Sequence, residues 1–168
     1  MFRQAIFFRG LVMIAILLMV GFATYVFWRW SLSPEESLLK FYAAQGAEDQ
    51  LMDPLIVGGA KVVPLILKDI NDKNMPLRRY AIGALGNIGD ASAIATLESL
   101  LKDQSEVDYI QCDALEAIAL INPDRGRVIA TAYSRSSTSC LHELSAYLLS
   151  GKLPHRRTYI EALGGWHE

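Results

Sequence analysis

Apolar residues run along this chain in two different rhythms. The first is an unbroken run: between Arg9 and Arg29 lie nineteen uncharged residues, GLVMIAILLMVGFATYVFW. At 1.5 Å per residue this predicts a helical rod of about 28 Å, close to the hydrocarbon thickness of a bilayer. Trp28 and Trp30 bracket Arg29 at its far end, and Arg9 flanks its near end, as expected at headgroup interfaces. Residues 10–30 are therefore expected to contact lipid. A cleaved secretory signal is the competing reading, with Gly21 and Ala23 as small residues near a cleavage site. The run outlasts a usual signal core, and no Cys follows it to carry a lipid, so an uncleaved single-pass anchor is the preferred expectation. Arg3 and Arg9 precede the run and only Arg29 follows it closely, which places the N-terminus in the cytoplasm and the rest of the chain outside it.

The second rhythm is helical and begins at SLSPEESLLKFYAAQG. Ser33 suits an N-cap, Pro34 the first helical position and Glu36 the reciprocal place of a capping box. This predicts a helix from Pro34 to near Gly46. Further on, Leu77, Ala81, Ala84, Leu85 and Ile88 share one helical face. The same stripe returns 33 residues later as Ile110, Ala114, Ala117, Ile118 and Ile121. Between the two stands SAIATLESLLKD, with Ile94, Leu97, Leu100 and Leu101 inward, and Val63, Ile66 and Leu67 of VVPLILKD echo it 34 residues earlier. A looser copy in CLHELSAYLLSG sets Leu141, Leu148 and Leu149 against Ile110, Ala117 and Ile118. Helix pairs recurring at this period predict an all-α solenoid.

The stretch RRYAIGALGNIGD carries three glycines inside or just past a helical pattern, and each interior Gly weakens a helix by about 1 kcal/mol relative to Ala. Close helix packing explains Gly86 beside Ala81 and Ala84. Gly89 is expected to end the helix in the left-handed conformation, with Asp90 capping the next one. In the following copy Asn122 takes the cap and Pro123 the first turn. MDPLIVGG reads as a short helix capped by Asp53, and the closing KLPHRRTYIEALGGWHE as a helix from about His155 to Leu163 that covers the last apolar face.

LRRYAIGALGNIGD followed by IATLESLLKD resembles the HEAT repeat, especially its short bacterial variety, over Val62–Pro123 and more loosely to Gly151. The resemblance implies a HEAT-like repeat domain over residues 32–168, and the anchor or signal over residues 1–31 lies outside it. With the anchor and its flanking charges, the domain is expected on the periplasmic side of a bacterial inner membrane, and the resemblance implies a protein partner. It also brings in two enzymes built on this fold. HEAT-like hydroxylases hold iron with His-Glu dipeptides, and His142-Glu143 and His167-Glu168 are such dipeptides. The matching places in the earlier repeats hold Arg79-Tyr80 and Cys112-Asp113, however, and Arg is no ligand. Phycobilin lyases are the second; the few repeats and the apolar anchor fit them poorly.

Composition narrows the rest. Beyond residue 30 the chain holds 13 Lys and Arg against 18 Asp and Glu, which argues against a nucleic-acid partner. Arg78-Arg79 and Arg156-Arg157 read as solvated helix ends. Cys112 and Cys140 lack metal or redox spacing and read as two small buried apolar side chains, a bridge requiring Cα atoms within about 7 Å. GALGNIG has the wrong glycine spacing for a dinucleotide loop and lies within a helix rather than after a strand. The expectation is a membrane-tethered interaction module, not an enzyme, without cofactor or metal. Its partner-binding candidates are Arg78, Arg79 and Tyr109 at helix starts and Arg125 and Arg127 after the next turn.

Overall fold

A computed structural model describes Met13, residues 16–22 and residues 33–165. The chain divides into two units, Met1–Leu32 and Ser33–Glu168. In the first, residues 16–22 are helical, with their large apolar side chains exposed, from 46% at Ile16 to 69% at Phe22. Arg9, Trp28, Arg29 and Trp30, and most of the expected span, lie outside the described residues. Among the described residues no helix is long and apolar enough to cross a membrane.

In the second unit all regular structure among the described residues is helical. Helix α1 (Pro34–Tyr42) opens with the expected capping box: Ser33 Oγ accepts from the Glu36 N–H, and the Glu36 carboxylate accepts from the Ser33 N–H. It stops at Tyr42, short of Gly46, with Phe41 buried in its last turn. Then follow α2 (Asp53–Gly58), α3 (Val63–Asp69), α4 (Arg78–Ile88), α5 (Ile94–Lys102), α6 (Asp108–Ile121), α7 (Pro123–Tyr133), α8 (Ser139–Leu149) and α9 (Tyr159–Gly165). Pro64 helps to start α3 instead of breaking it, because it occupies the first turn, where its missing N–H has no partner to lose.

Every second helix stands beside the next: α2 packs on α4, α4 on α6, and α6 on α8. Helix α5 packs against α6, and α7 against both α6 and α8, so a second row covers the first. This is the side-by-side stacking the repeat predicts. The two copied stripes point inward: Ala81, Ala84 and Leu85 are fully buried, as are Ala114 and Ile118. The small residues allow close approach. A Cβ on Gly86 would stand 2.7 Å from Ala117 Cα, closer than real Cβ atoms come, so α4 and α6 meet backbone to backbone. Gly89 ends α4 in the left-handed region (φ 80°), and Asp90 caps the short turn Ala91–Ala93 that leads into α5. Asn122 caps α7 ahead of Pro123.

Four expectations need correction. Asp53 does not cap α2; the cap is Met52, and the Asp53 carboxylate is buried in an ion pair described below. In the last copy Leu141 and Leu148 are buried but Leu149 is 45% exposed. The closing helix begins at Tyr159, not His155, and packs on α2 at the opposite end of the row from α8. Cys112 and Cys140 are bonded to each other, not two free thiols. Because α8 lies beside α6, their Cα atoms come within 6.2 Å. That proximity is a product of the row order and leaves no trace in the spacing.

Arg78 also departs from its expected exposure. It is buried, its Nε donating to Ile70 O at 2.6 Å and its two terminal nitrogens donating to the Glu106 carboxylate at 2.8 and 2.7 Å. The loops before α4 and α6, equivalent places in successive repeats, are thereby tied together, and Lys73 adds a bond to Ser105 O at 2.9 Å. Both ends of the Arg78–Glu106 pair are out of water, and the guanidinium holds the Glu106 carboxyl below its ordinary value despite that burial.

Arg78→Met is expected to lower unfolding free energy by about 3–5 kcal/mol, since it strands a buried carboxylate, whereas Arg78→Met with Glu106→Leu recovers most of the loss. Urea denaturation of the three proteins checks this. Because the Glu106 pKa is depressed, the pair's contribution is present at neutral pH and is lost as pH falls below the ordinary carboxylate range. The bridged cysteines lie 28 positions apart in sequence, so Cys112→Ala with Cys140→Ala is expected to remove about 3 kcal/mol, measured the same way without reductant.

Candidate functional site

The row of α2, α4 and α6 carries a groove on its outer side. Its larger hollow, about 450 Å³, is lined by Met52 ahead of α2, by Arg79, Tyr80, Gly83 and Asn87 of α4, and by Asp113, Glu116 and Leu120 of α6. A second hollow of about 390 Å³, lined by Val107 and Tyr109, shares Arg79 and Tyr80 with it. These residues occupy the faces of α4 and α6 left over by the buried stripe. Arg79, Gly83 and Asn87 recur at four-residue steps, and Asp113, Glu116 and Leu120 at three and four.

Arg79 is the centre of this surface. Its guanidinium lies 5.5 Å from the centroid of the Tyr80 ring and 5.6 Å from that of Tyr109, within cation–π range of both. Its Nε stands 3.4 Å from Asp113 Oδ2, linking α4 to α6 across the groove. The side chains of Arg79 and Tyr109 remain about half exposed. Burial pushes the Asp113 carboxyl above its usual range, with Arg79 opposing that shift. The Glu116 carboxyl also rises, first through burial and then through its like-charged neighbour Asp113, and Arg79 again opposes. The groove thus sets Arg79 near two reluctant carboxylates and exposed aromatic surface. Such a surface suits recognition of a polar segment with a few aromatic and Arg anchors.

The other end of the groove is crossed by residues 152–158, which form neither helix nor turn. His155 and Arg157 from this strap line the larger hollow. Arg157 forks onto Asp53, with Nη2 to Oδ2 at 2.8 Å, and Asp53 is 1% exposed. Arg156 donates to the carbonyls of Asn87 and Ile88 at 2.8 and 2.9 Å. These two arginines are clamps between distant parts of the chain, not the solvated helix ends expected of them. Thr158 and Glu161 form the reciprocal cap of α9, which is why helix starts only after the arginines are placed.

The sequence-based candidates therefore separate. Arg79 and Tyr109 come together in the groove. Arg78 lies buried beneath the surface with Glu106. Arg125 and Arg127 lie on α7 in the second row, where Arg125 bonds Glu98 at 2.7 Å and Arg127 pairs with Asp124. Of the His-Glu dipeptides, His142 Nδ1 contacts Ser134 O at 2.7 Å and Glu143 accepts from Ser139, so each is engaged on its own side of α8; His167-Glu168 lies outside the described residues. Among the described residues there is no group of three or more His, Cys, Asp or Glu placed to hold a metal ion. The sequence reading missed Tyr80, Asp113 and Glu116. Their signal was available, as polar positions at three- and four-residue steps flanking the two copied stripes.

A family model described as HEAT repeats matches residues 39–119, just under half of the chain. Together with the stacked helix rows, this match supports a HEAT-like repeat protein. No curated protein and no solved structure matches the chain.

Glu116→Gln is expected to raise the melting temperature at pH 7, because it removes a charge that burial and Asp113 disfavour. The sign follows from the raised folded-state pKa: the wild type gains stability as pH falls toward the ordinary carboxylate value. The advantage of the variant should therefore shrink to nothing below about pH 4. Thermal scans of both proteins across pH 3–8 test this, and a constant difference would contradict it.

Proposed function

We propose that the chain is a non-catalytic protein-interaction module, a scaffold or assembly factor, held at a bacterial inner membrane by residues 10–30 with its repeat domain on the periplasmic side. HEAT repeats serve commonly as protein-binding surfaces, which supports the coarse reading. One observation carries it to this groove: Arg79 stands between Tyr80 and Tyr109 on an open surface, with its charge opposed by Asp113. Tyr side chains supply large contact area at low conformational-entropy cost, and Arg is enriched among interface anchors.

Two features support the placement. The nineteen uncharged residues between Arg9 and Arg29 have the length and flanks of an anchor, and the charge distribution favours a cytoplasmic N-terminus. The Cys112–Cys140 bridge supports the periplasmic reading, since thiols are kept reduced in the bacterial cytoplasm.

Co-purification from detergent-solubilised membranes tests the reading. Partner recovery, quantified by mass spectrometry, should fall at least about tenfold for Arg79→Glu and for Tyr109→Ala, the loss typical of an interface hot spot, and should be unchanged for Arg127→Glu. Equal recovery with all three variants would remove the groove as the binding surface.

A further inference from the structure

After α8 the chain turns at Gly151 (φ 85°), and residues 152–158, without helix or turn, cross the groove side of the row toward α2. What holds this strap is polar. Lys152, Leu153, His155 and Arg156 are exposed, so little apolar surface is buried beneath it. We propose that the strap is an internal ligand seated in a peptide-binding site, and that the partner is an extended segment with two adjacent arginines that takes its place. The inference rests on the groove being an interaction surface and adds the chemistry of what binds there.

Three contacts define the site. The last carbonyls of a helix have no partner within it and carry partial negative charge. Arg156 uses those of α4, donating to Asn87 O and Ile88 O. The next guanidinium, of Arg157, turns to the buried Asp53 carboxylate at the start of α2. Between them the Arg157 backbone N–H donates to Asn87 Oδ1. The Asn87 amide is itself held by donating to Gly83 O at 2.9 Å. Two guanidinium sites joined by one main-chain anchor form a reader of two adjacent arginines.

The site's chemistry selects the occupant. It presents carbonyls, a carboxylate and an amide oxygen, all acceptors, so it takes a cationic donor and repels an anionic one. Planar guanidinium suits the fork at Asp53 better than ammonium does. Gly89 keeps the first position open. Its φ of 80° calls for glycine, and any Cβ there would collide with the Arg156 guanidinium. Exchange of the strap for a similar segment leaves the core intact. Beyond the strap, α9 contributes one fully buried side chain, Ala162, while Tyr159 and Ile160 stay largely exposed.

A fluorescent peptide of the strap's own sequence, KLPHRRTYI, and its double Arg→Gln counterpart test this against the full chain in detergent. In the wild type the tethered strap competes at an effective concentration near the millimolar range, so the Arg peptide should bind weakly. In a chain with Arg156→Ala and Arg157→Ala it should bind at least about tenfold tighter, and the Gln peptide should bind neither protein. At saturation, hydrogen exchange over residues 152–165 of the wild type should accelerate. Because the double variant strands Asp53 and risks unfolding, Arg156→Ala alone is the second arm, with a gain of about threefold expected. Equal affinity of wild type and a folded variant, equal binding of both peptides, or a bound peptide that leaves strap exchange unchanged would overturn the proposal. Loss of partner through Arg79→Glu and Tyr109→Ala, combined with failure of the Arg peptide, would sink this inference and leave the groove standing as a binding surface.

Discussion

The contact of bare helix backbones holds this domain together. Gly86 lies against Ala117, and Gly126 lies against Ala119, so that α6 is approached by α4 on one side and α7 on the other. A Cβ at Gly126 would stand 2.6 Å from Ala119 Cα, a distance that only displacement of a helix would relieve. Each interior glycine weakens its own helix by about 1 kcal/mol. The close approach brings Leu85, Leu115 and Ile118 to full burial, and each such side chain contributes about 1.5–3 kcal/mol. Burial wins, and it wins only because neighbouring helices sit near enough to exclude water along their length. The same logic makes α6 the hub of the stack, since it alone touches α4, α5, α7 and α8.

Helix packing of this kind sets distance but tolerates sliding. The polar bridges between loops remove that freedom. Arg78 reaches back to Ile70 O and forward to Glu106, and Lys73 reaches Ser105, so the turn before α4 is tied to the turn before α6. A buried ion pair is weak evidence of net stability, because desolvation offsets much of its attraction. Its geometry is demanding, however: two guanidinium nitrogens must meet two carboxylate oxygens while the third meets a carbonyl. That requirement is met in one register of the two repeats. On the far side of the row the Cys112–Cys140 bridge performs a covalent version of the same task between α6 and α8.

With register held, the leftover faces of α4 and α6 form a continuous surface. Arg79 and Asp113 meet across it because their helices are parallel members of one row, 34 residues apart in sequence. The strap then uses the same row as a ruler. It spans the distance from the end of α8 to the start of α2 and spends its two arginines at the α4 terminus and at Asp53. A repeat stack has two ends that need closure, and here a single C-terminal segment leaves one end and covers the other. The groove and the closing device therefore share one face.

Helices, caps and the repeat were legible from the amino-acid order, because each is written within a few residues. The capping box at Ser33, the turn at Gly89-Asp90 and the cap at Asn122 all rest on neighbours three or four positions away. The copied stripes rest on the 3.6-residue period. Arg79 and Tyr109 were also marked correctly as exposed groups at helix starts. The partners of Arg78, Arg157 and Cys112 were decided only in three dimensions. Asp53 and Arg157 stand 104 residues apart, and a charge carries no record of which opposite charge it will meet. Glu98, Asp103, Glu106 and Asp113 are all acids within one short stretch, yet Arg78 selects Glu106 because the stacking of two repeats leaves that carboxylate within reach and out of water. Short-range pattern dictated what each element would be; the packing of small residues dictated how close the elements came, and hence which distant side chains met.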